Sequence, residues 1–385
     1  MIKQKLLVVG DFTTHIRSQQ FIQKLLQRDI GESVSFVITI SNPNLFKLFN
    51  SKLNSIQLLL NKMFSLLFFF ELLIKIPFSH KILFLGMNHK VFPILLLANA
   101  FWRRPIIADM YISIYDAAKS RDLFNRSILN KLLTLKYEWY YKYLDQLIIE
   151  KPALTIYNGE KELKLIASLV GANLNKCNYT IIPTSAISKQ KASPTKSDVF
   201  RICWWGTFMP FHGVDIIIKV ASHLKKKGID FTLNLFGTPK HEITLFEELS
   251  NELNLNNEVF FHKDKTFGNG LLEKHLKTQC DLSLGNFSSS RRALRIFPTK
   301  IIDSFSMNIP ILTMDTEVIR DCADVDNEIF TCLNRPIDIC AEIIKIINDP
   351  NERERRANNG FSHYERTFSE HIVQEQFVSL FNINP

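Results

Sequence analysis

The chain has 385 residues, of which 46% are hydrophobic and 22% are charged, and its formal net charge is +9 at pH 7. This composition excludes a disordered or fibrous protein and is sufficient for two domains with sizeable cores. The basic excess favours a polyanionic partner, which is nucleic acid, an anionic membrane surface or a phosphorylated substrate.

The N-terminal stretch KLLVVG is too short an apolar run for a signal peptide and is typical of a first β-strand. Further short apolar runs in the first half predict buried parallel strands separated by helices. The five runs are KLLVVG (5–10), SVSFVITI (33–40), KILFLG (81–86), RPIIADM (104–110) and QLIIE (146–150). This alternation indicates α/β layering.

The most apolar helix candidate is SIQLLLNKMFSLLFFFELLIKIP (55–77), which polar residues interrupt too often for a membrane-spanning helix. Residues 41–108 contain one acid and eight bases, a formal excess of seven. Apolar surface beside basic residues suits a helix that lies on an anionic membrane. The alternative is a core helix buried between strands.

The polar segment SKQKASPTKSD (188–198) predicts an interdomain linker. A second α/β series follows it, with strands in RICWWG (201–206), TLNLFG (232–237), EVFFHK (258–263), CDLSLGNF (280–287) and IPILTMD (309–315). Two such domains bind ligands at the carboxyl ends of their strands, and we expect a cleft between them.

The first candidate site follows RICWWG, where the loop TFMPFHG leads into a helix. Gly206 lets the backbone approach a ligand closely, and the helix after Gly213 directs free N–H groups and its positive dipole end toward the loop. A diphosphate fits this arrangement, with hydrogen bonds from Thr207 and His212. Gly228 is expected to cap the helix C-terminus. An ordinary strand–loop–helix corner is the alternative.

The second candidate site is the stretch RRALRIFPTKIIDSF, in which Lys300 and Asp303 share one helix face because they are three residues apart. The carboxylate suits the hydroxyls of a ribose, and Lys300 and Arg295 suit phosphate oxygens. One alternative is a surface ion pair between Lys300 and Asp303. Another is a solvated face formed by Arg291, Arg292 and Arg295.

Four candidates lie near strand ends in the first half. His15 and His89 follow the first and third predicted strands, where structural or solvent-facing roles are expected. Asp109 at the end of PIIAD and Asp116 in SIYD are candidates for the side that binds an acceptor. The six cysteines include no C-x-x-C pair, so we predict reduced thiols in a cytosolic protein and no metal site.

The segments GTFMPFHGVDIII, FTLNLFG, CDLSLGNF, RIFPTK, IPILTMDT and VIRD resemble family 4 of the retaining glycosyltransferases, in its bacterial polysaccharide-assembly branch. Members of that branch carry a G-x-F-x-P-x-H-G loop and an R-x-x-P-x-K helix start. The segment RRPIIADMYISIYDAAKSRD resembles a part of that branch in which S-x-Y-D follows a strand. The terminal NGFSHYERTFSEHIVQEQFVSLF resembles the closing helices of the family. The resemblance is strong over 201–320 and weaker before residue 100.

The resemblance implies a GT-B fold, in which two Rossmann-like domains with parallel sheets face each other across a cleft. We expect an acceptor- and membrane-facing domain at 1–187, a linker at 188–199 and a nucleotide-sugar-binding domain at 200–365. The last segment, 366–385, is expected to form a helix that crosses back onto the N-terminal domain.

The implied activity is hexosyl transfer from a nucleotide-sugar to a growing, lipid-linked surface polysaccharide or glycolipid, such as lipopolysaccharide or capsule. The protein is expected to be cytoplasmic and peripheral on the inner face of the plasma membrane, with no cofactor, metal or nucleic-acid partner. By position, the candidate donor-binding residues are Gly206, Thr207, His212, Gly237, Phe287, Lys300 and Asp303. The candidate catalytic residues are Lys300, Arg295, Asp109 and Asp116.

Two positions depart from the family signature of two glutamates separated by seven residues. Arg295 stands at the first glutamate position, and an arginine cannot accept hydrogen bonds from sugar hydroxyls as a glutamate would. Asp303 stands at the second glutamate position and has a shorter side chain. The resemblance implies a reaction without a protein nucleophile, in which the leaving diphosphate helps to deprotonate the acceptor and fixed donors stabilise its charge. Asp324 and Asp326 form an Asp-x-Asp sequence like the metal site of another glycosyltransferase fold, but we predict a surface turn there.

Two other functions remain open from the sequence. One is another GT-B enzyme, such as a nucleotide-sugar 2-epimerase. The other is a non-enzymatic protein that binds a polyanion such as nucleic acid. The basic excess coincides with aliphatic and Phe-rich sequence, which favours a membrane over nucleic acid.

Overall fold

The computed structural model describes residues 5–10, 16–27, 34–38, 55–85, 89–120, 131–186, 195–237 and 242–382. The chain divides into two compact units. The first unit comprises Met1–Pro183 together with Gln374–Pro385, and the second comprises Thr184–Val373. Each is an α/β unit built on one sheet whose strand pairs are parallel, so the predicted fold class is confirmed.

Short parallel strands form the sheet of the first unit. They are β1 (Leu6–Gly10), β2 (Val34–Ile38), β3 (Lys81–Leu85), β4 (Ile106–Met110), β5 (Leu154–Tyr157) and β6 (Tyr179–Ile181). Their order in the sheet is β2-β1-β3-β4-β5-β6, with Leu6 of β1 opposite both Val34 and Lys81. The order reverses between β1 and β3, which makes the carboxyl ends of these strands a crevice suited to ligands.

Helices follow the strands of the first unit. They are α1 (Ile16–Gln27), α2 (Ser55–Lys75), α3 (Phe92–Asn99), α4 (Ile114–Ser120), α5 (Lys131–Glu150) and α6 (Glu160–Val170). A single turn of 3-10 helix, Ile76–Phe78, extends α2. No helix within the described ranges is long and apolar enough to cross a membrane.

The prediction of a strand at QLIIE (146–150) is wrong, because these residues form the last turn of α5. Tyr141, Leu144 and Ile148 are buried at spacings of three and four, so the apolar residues belong to a helical face. A short apolar run fits both periods, and only the longer pattern upstream separates them. The strand comes afterwards, as β5, once Pro152 has ended the helix.

The second unit repeats the layering with its own sheet. Its strands are β7 (Phe200–Trp205), β8 (Phe231–Phe236), β9 (Val259–His262), β10 (Leu282–Leu284), β11 (Ile311–Met314) and β12 (Phe330–Cys332). Its helices are α7 (Val214–Lys226), α8 (Glu242–Glu252), α9 (Leu271–Gln279), α10 (Thr299–Ser306), α11 (Glu317–Cys322), α12 (Pro336–Asn348) and α13 (Pro350–His363). The order β12-β11-β10-β7-β8-β9 is that of a doubly wound nucleotide-binding sheet, and it reverses between β7 and β10.

The chain returns to the first unit through α14 (Glu370–Asn382), as the resemblance implied. Phe377 of α14 stacks on Phe21 of α1 with ring centroids 3.9 Å apart. The side-chain amide of Gln374 donates to the Gln20 carbonyl oxygen, at 3.3 Å. Aromatic stacking and hydrogen bonding therefore join the last helix to the first.

The predicted linker at 188–199 lies partly outside the described residues, which resume at Thr195. The backbone N–H of Thr195 donates to the carbonyl oxygen of Thr278, at 2.9 Å. The end of this segment is thus tied to the second unit. The predicted domain boundaries stay a prediction.

Candidate functional site

The candidate site lies at the point where the sheet of the second unit reverses its order. The loop 206–213 follows β7, and the loop 285–298 follows β10, so both leave the carboxyl ends of neighbouring strands. In doubly wound sheets this crevice is where nucleotides bind. The two stretches singled out from the sequence are therefore brought together by the sheet.

Glycine allows the two loops to touch. Gly213 begins α7 in a left-handed conformation with φ 71°, and a Cβ there would lie 1.7 Å from the carbonyl oxygen of Phe287. The N–H of Phe287 donates in turn to the carbonyl oxygen of His212, at 3.0 Å. A Cβ on Gly237, after β8, would lie 2.0 Å from the carbonyl oxygen of Gly206. No residue with a side chain fits at either contact.

Lys300 is the buried cation of this site. It lies in the first turn of α10, where its ammonium donates to the side-chain oxygen of Asn286, at 3.0 Å, and sits 4.7 Å from the centre of the Trp204 ring. Burial lowers the pKa of Lys300 to about 7, and the charge of Asp303 partly opposes the shift. A buried ammonium whose carbonyl and aromatic partners are both neutral can still gain from pairing with an anion.

His212 lies beside Lys300 and is neutral. Its ring packs 5.5 Å from that of Trp204, and its Nδ1 is buried without a hydrogen-bond partner. Burial, together with the charges of Lys300 and Arg292, lowers the pKa of His212 to about 2. It can therefore contact a phosphate as a neutral hydrogen-bonding group, and it supplies no positive charge there.

Asp303 lies one turn along α10 from Lys300 and is also buried. The indole N–H of Trp205 donates to one of its carboxylate oxygens, at 3.4 Å. Trp205 in turn meets the ring of Phe267 edge-on, with centroids 6.4 Å apart. The indole of Trp205 thus contacts the buried carboxylate, and the ribose-binding role of Asp303 stays a prediction.

The arginines near Lys300 differ in their surroundings, and the role predicted for Arg295 stays a prediction. Arg295 is exposed, and its N–H donates to the carbonyl oxygen of Arg292 within a turn. Arg292 is half-buried, with its guanidinium carbon 4.7 Å from the centre of the Phe211 ring, next to His212. The structure therefore brings Arg292 to the loop after β7, whereas Arg295 lies on the exposed side of its own loop.

The remaining donor candidates contribute differently. Thr207 is exposed in the loop after β7, so its hydroxyl is accessible. Phe287 buries its ring in the core of the second unit, and only its backbone joins the two loops. Gly237 supplies close contact to Gly206. Sequence reasoning missed Asn286, although it lies inside the motif CDLSLGNF.

Residues 186–363 match the family model described as Glycosyl transferases group 1. HepE from Anabaena, in complex with UDP and glucose, is similar with 13% identity, a TM-score of 0.70, and coverage of 98% of this chain and 99% of that chain. Sucrose-phosphate synthase from Thermosynechococcus elongatus is similar with 11% identity, a TM-score of 0.69 and 98% coverage of both chains. No curated protein matches the chain by sequence.

The chain has the GT-B fold. The lipopolysaccharide outer core galactosyltransferase WaaB in its apo form is also similar, with 12% identity, a TM-score of 0.61 and coverage of 98% of this chain and 99% of that chain. At these identities the likeness shows the fold alone. Taken with the family match of the second unit, it supports a GT-B glycosyltransferase.

In the N-terminal unit of this GT-B chain, Asp109 is buried at the end of β4. Both of its carboxylate oxygens accept hydrogen bonds from Arg17, at 2.9 to 3.2 Å. Arg17 also donates to the carbonyl oxygens of Ile182 and Pro183. This pairing gives Asp109 a structural task, and its acceptor role stays a prediction.

Asp116 and His89 belong to one network at the ends of β3 and β4. Asp145 of α5 accepts hydrogen bonds from the hydroxyl of Ser113 and the N–H of Tyr115, and lies 2.8 Å from His89 Nδ1. The N–H of Asp116 donates to the Ser113 hydroxyl. The S-x-Y-D turn is thus fixed by α5, and the roles predicted for Asp116 and His89 stay predictions. His15 lies outside the described residues.

The sequence Asp324–Asp326 forms a turn after α11. One carboxylate oxygen of Asp324 accepts from the N–H of Asp326 and the other from the side-chain amide of Asn327. These bonds lower the pKa of Asp324. In the described part of the chain, no group of three or more His, Cys, Asp or Glu side chains could hold a metal ion.

Proposed function

We propose that the chain is a retaining glycosyltransferase, which transfers a hexosyl group from a nucleotide-sugar to a lipid-linked polysaccharide or glycolipid acceptor. The observation that carries the proposal is the buried ammonium of Lys300 at the crevice between β7 and β10, one turn from Asp303. The UDP and glucose bound to HepE, and the lipopolysaccharide named for WaaB, support the choice of donor and acceptor class.

In the proposed mechanism, the residues of the second unit hold the donor by its nucleoside diphosphate. Lys300 donates to the diphosphate and stabilises the charge that grows as the sugar leaves. Asp303 accepts hydrogen bonds from the ribose, and the N-terminus of α7 directs N–H groups to the phosphates. The leaving phosphate helps to deprotonate the acceptor on the same face of the sugar, so no metal or protein nucleophile takes part.

The test of the site is the substitution Lys300→Ala. We expect a loss of about 2–4 kcal/mol of transition-state stabilisation, or roughly 30- to 1,000-fold in kcat/KM, by analogy with other lost charge-stabilising donors. Lys219→Ala is the matched control, because Lys219 is an exposed lysine on α7. A Lys300→Ala protein with unchanged kcat/KM would contradict the assignment.

The test of the reaction is product analysis with nucleotide-sugar donors chosen by thermal shift. Release of free UDP or GDP only in the presence of an acceptor is expected for a transferase, and donor conversion without an acceptor would indicate an epimerase. NMR of the product should show the anomeric configuration of the donor, and activity should persist in EDTA. An inverted product would reject the retaining mode.

A further inference from the structure

The N-terminal unit exposes a group of large apolar side chains on α2 and α3 and in the turns that follow these two helices. They are Leu66, Leu67, Phe70, Ile74, Phe78, Leu97 and Phe101, with exposed fractions between 52% and 84%. We call this group the apolar surface. Soluble proteins rarely expose so much contiguous apolar area unless it binds a partner or a membrane.

The spacing of these residues gives a continuous stripe. Leu66, Phe70 and Ile74 recur every four residues, so they lie on one face of α2, and Phe78 continues the series in the 3-10 turn. The other face of α2 supplies Leu72 to the core of the unit. The stripe is therefore an outer face of a helix that is already packed on its inner side.

The apolar side chains at the end of α3 lie next to those at the end of α2. The guanidinium of Arg104 donates to the carbonyl oxygen of Pro77, at 3.0 Å, which brings the turn after α3 next to Phe78. Asn99 fixes that turn, since its side chain bonds both the N–H and the carbonyl of Arg104. Phe101, the most exposed of the seven, is thereby held near Phe78.

Basic and aromatic residues border this end. Residues 65–105 contain five bases and one acid, which gives a net charge of +4. Glu71, the one acid, is already paired with Lys75, and Arg103 is exposed two residues after Phe101. Trp102 lies half-buried against Phe101, with ring centroids 5.4 Å apart. Tryptophan with a basic border is typical of segments at the membrane–water interface.

We infer that the apolar surface inserts into the interfacial layer of an anionic lipid bilayer, with Arg103 and Arg104 at the headgroups. Charge favours this partner over a second copy of the chain, because a symmetric contact would bring the basic borders of two copies together. Membrane binding would bring the transferase to a lipid-linked acceptor, so this inference rests on the proposed function.

The experiment is flotation of the full chain with vesicles of phosphatidylcholine alone and with about 30% phosphatidylglycerol, at low salt. We expect the unaltered chain to float with the anionic vesicles. The triple variant Ile74→Ser, Phe78→Ser, Phe101→Ser should bind at least tenfold more weakly, because bound apolar area is lost. The matched control is Leu333→Ser, Ile337→Ser, which alters two exposed apolar residues of the second unit.

Further measurements distinguish loss of membrane binding from misfolding and from dimerisation. Arg103→Glu leaves the apolar surface in place and should reduce the preference for anionic vesicles. Stabilisation of the triple variant by UDP would show that it is folded. Equal flotation of unaltered and triple-variant chains would overturn the inference, as would a dimer that the triple variant abolishes without any vesicle binding. Absence of UDP binding to the unaltered chain would instead contradict the proposed function and leave the vesicle result standing.

Discussion

Lys300 has a protonation state that depends on its neighbours. Its ammonium contacts a neutral amide oxygen and an aromatic face, and neither supplies a full opposite charge. Burial therefore brings its pKa to about 7, with Asp303 as the opposing influence. A bound diphosphate supplies the missing negative charge and must raise the pKa again. Donor binding and protonation are consequently linked at this residue.

The affinity for UDP should therefore fall as the pH rises above 7. Below pH 7, Lys300 is protonated in both free and bound protein, so it adds little pH dependence to the affinity. Above pH 7 the free protein loses the proton first, so the dissociation constant should rise by up to about tenfold per pH unit. Calorimetry from pH 7 to 9 in buffers of different ionisation enthalpy should also show uptake of a proton. Lys300→Arg should remove both effects, and their persistence in that variant would assign them to another group.

Asn286 should act as a positioning residue for Lys300. The substitution Asn286→Asp places a carboxylate 3.0 Å from the ammonium, which raises the pKa of Lys300 and competes with the diphosphate. We expect UDP affinity to fall at least tenfold, which is about 1.4 kcal/mol. The further decrease in affinity with rising pH should begin above about pH 8 in this variant, and not above pH 7. Asn254→Asp, at an exposed asparagine of the same unit, is the control. Unchanged UDP affinity at pH 7 would show that Asn286 does not control Lys300.

The sequence located part of this site and could not locate the rest. Lys300 and Asp303 were found because a spacing of three within a predicted helix places them on one face. Trp204 and Asn286 lie 96 and 14 residues before Lys300, and only the sheet order brings β7, β10 and α10 together. Periodicity carries no information on such contacts. Burial keeps His212 neutral, and the sequence motif alone does not predict that burial.

At the scale of elements, the two ends of α7 allow a paired prediction. Gly213 at its start and Gly228 after its end have φ of 71° and 69°, so both favour glycine equally. A Cβ on Gly228 meets nothing within 4 Å, so Gly228→Ala should cost about 1–2 kcal/mol in the free energy of unfolding. A Cβ on Gly213 would lie 1.7 Å from Phe287, so Gly213→Ala must separate the two loops.

We therefore expect Gly213→Ala to cost about 4 kcal/mol or more and to abolish UDP binding, whereas Gly228→Ala should bind UDP normally. Urea unfolding and calorimetry would measure the two effects. Equal losses of stability in the two variants would show that backbone strain, and not the contact between the loops, sets the need for Gly213.

Continuous burial made some strands easy to predict from the sequence. In β1 and in the last four residues of β7, successive residues are buried, so short apolar runs were sufficient to identify them. The missed strands are β5, β6 and β12. β6 and β12 are three residues long and only partly buried, so their sequences look like loops, whereas β5 is largely buried and was missed because the fifth strand was placed at the preceding run QLIIE. In α5 the apolar run QLIIE was assigned to a strand because its helical period is visible only over a longer window.

At the scale of the molecule, one buried pair joins distant parts of the first unit. Arg17 of α1 holds Asp109 of β4 and the carbonyl oxygens of Ile182 and Pro183, which end the first passage of the chain through this unit. Its guanidinium also lies 4.8 Å from the centre of the Phe21 ring, on which α14 packs through Phe377. The start, middle and end of the chain therefore meet at α1.

Arg17→Met should destabilise the first unit by about 3–5 kcal/mol, because it leaves the carboxylate of Asp109 buried without its partner. Hydrogen exchange should increase in peptides from α1, β4 and α14. The double variant Arg17→Met, Asp109→Leu removes the charge as well and should recover much of the loss. Protection by UDP should remain in peptides covering 206–213 and 285–306, since the donor candidates lie in the second unit. Greater exchange in those two peptides than in α1 would show that Arg17 stabilises something other than the first unit.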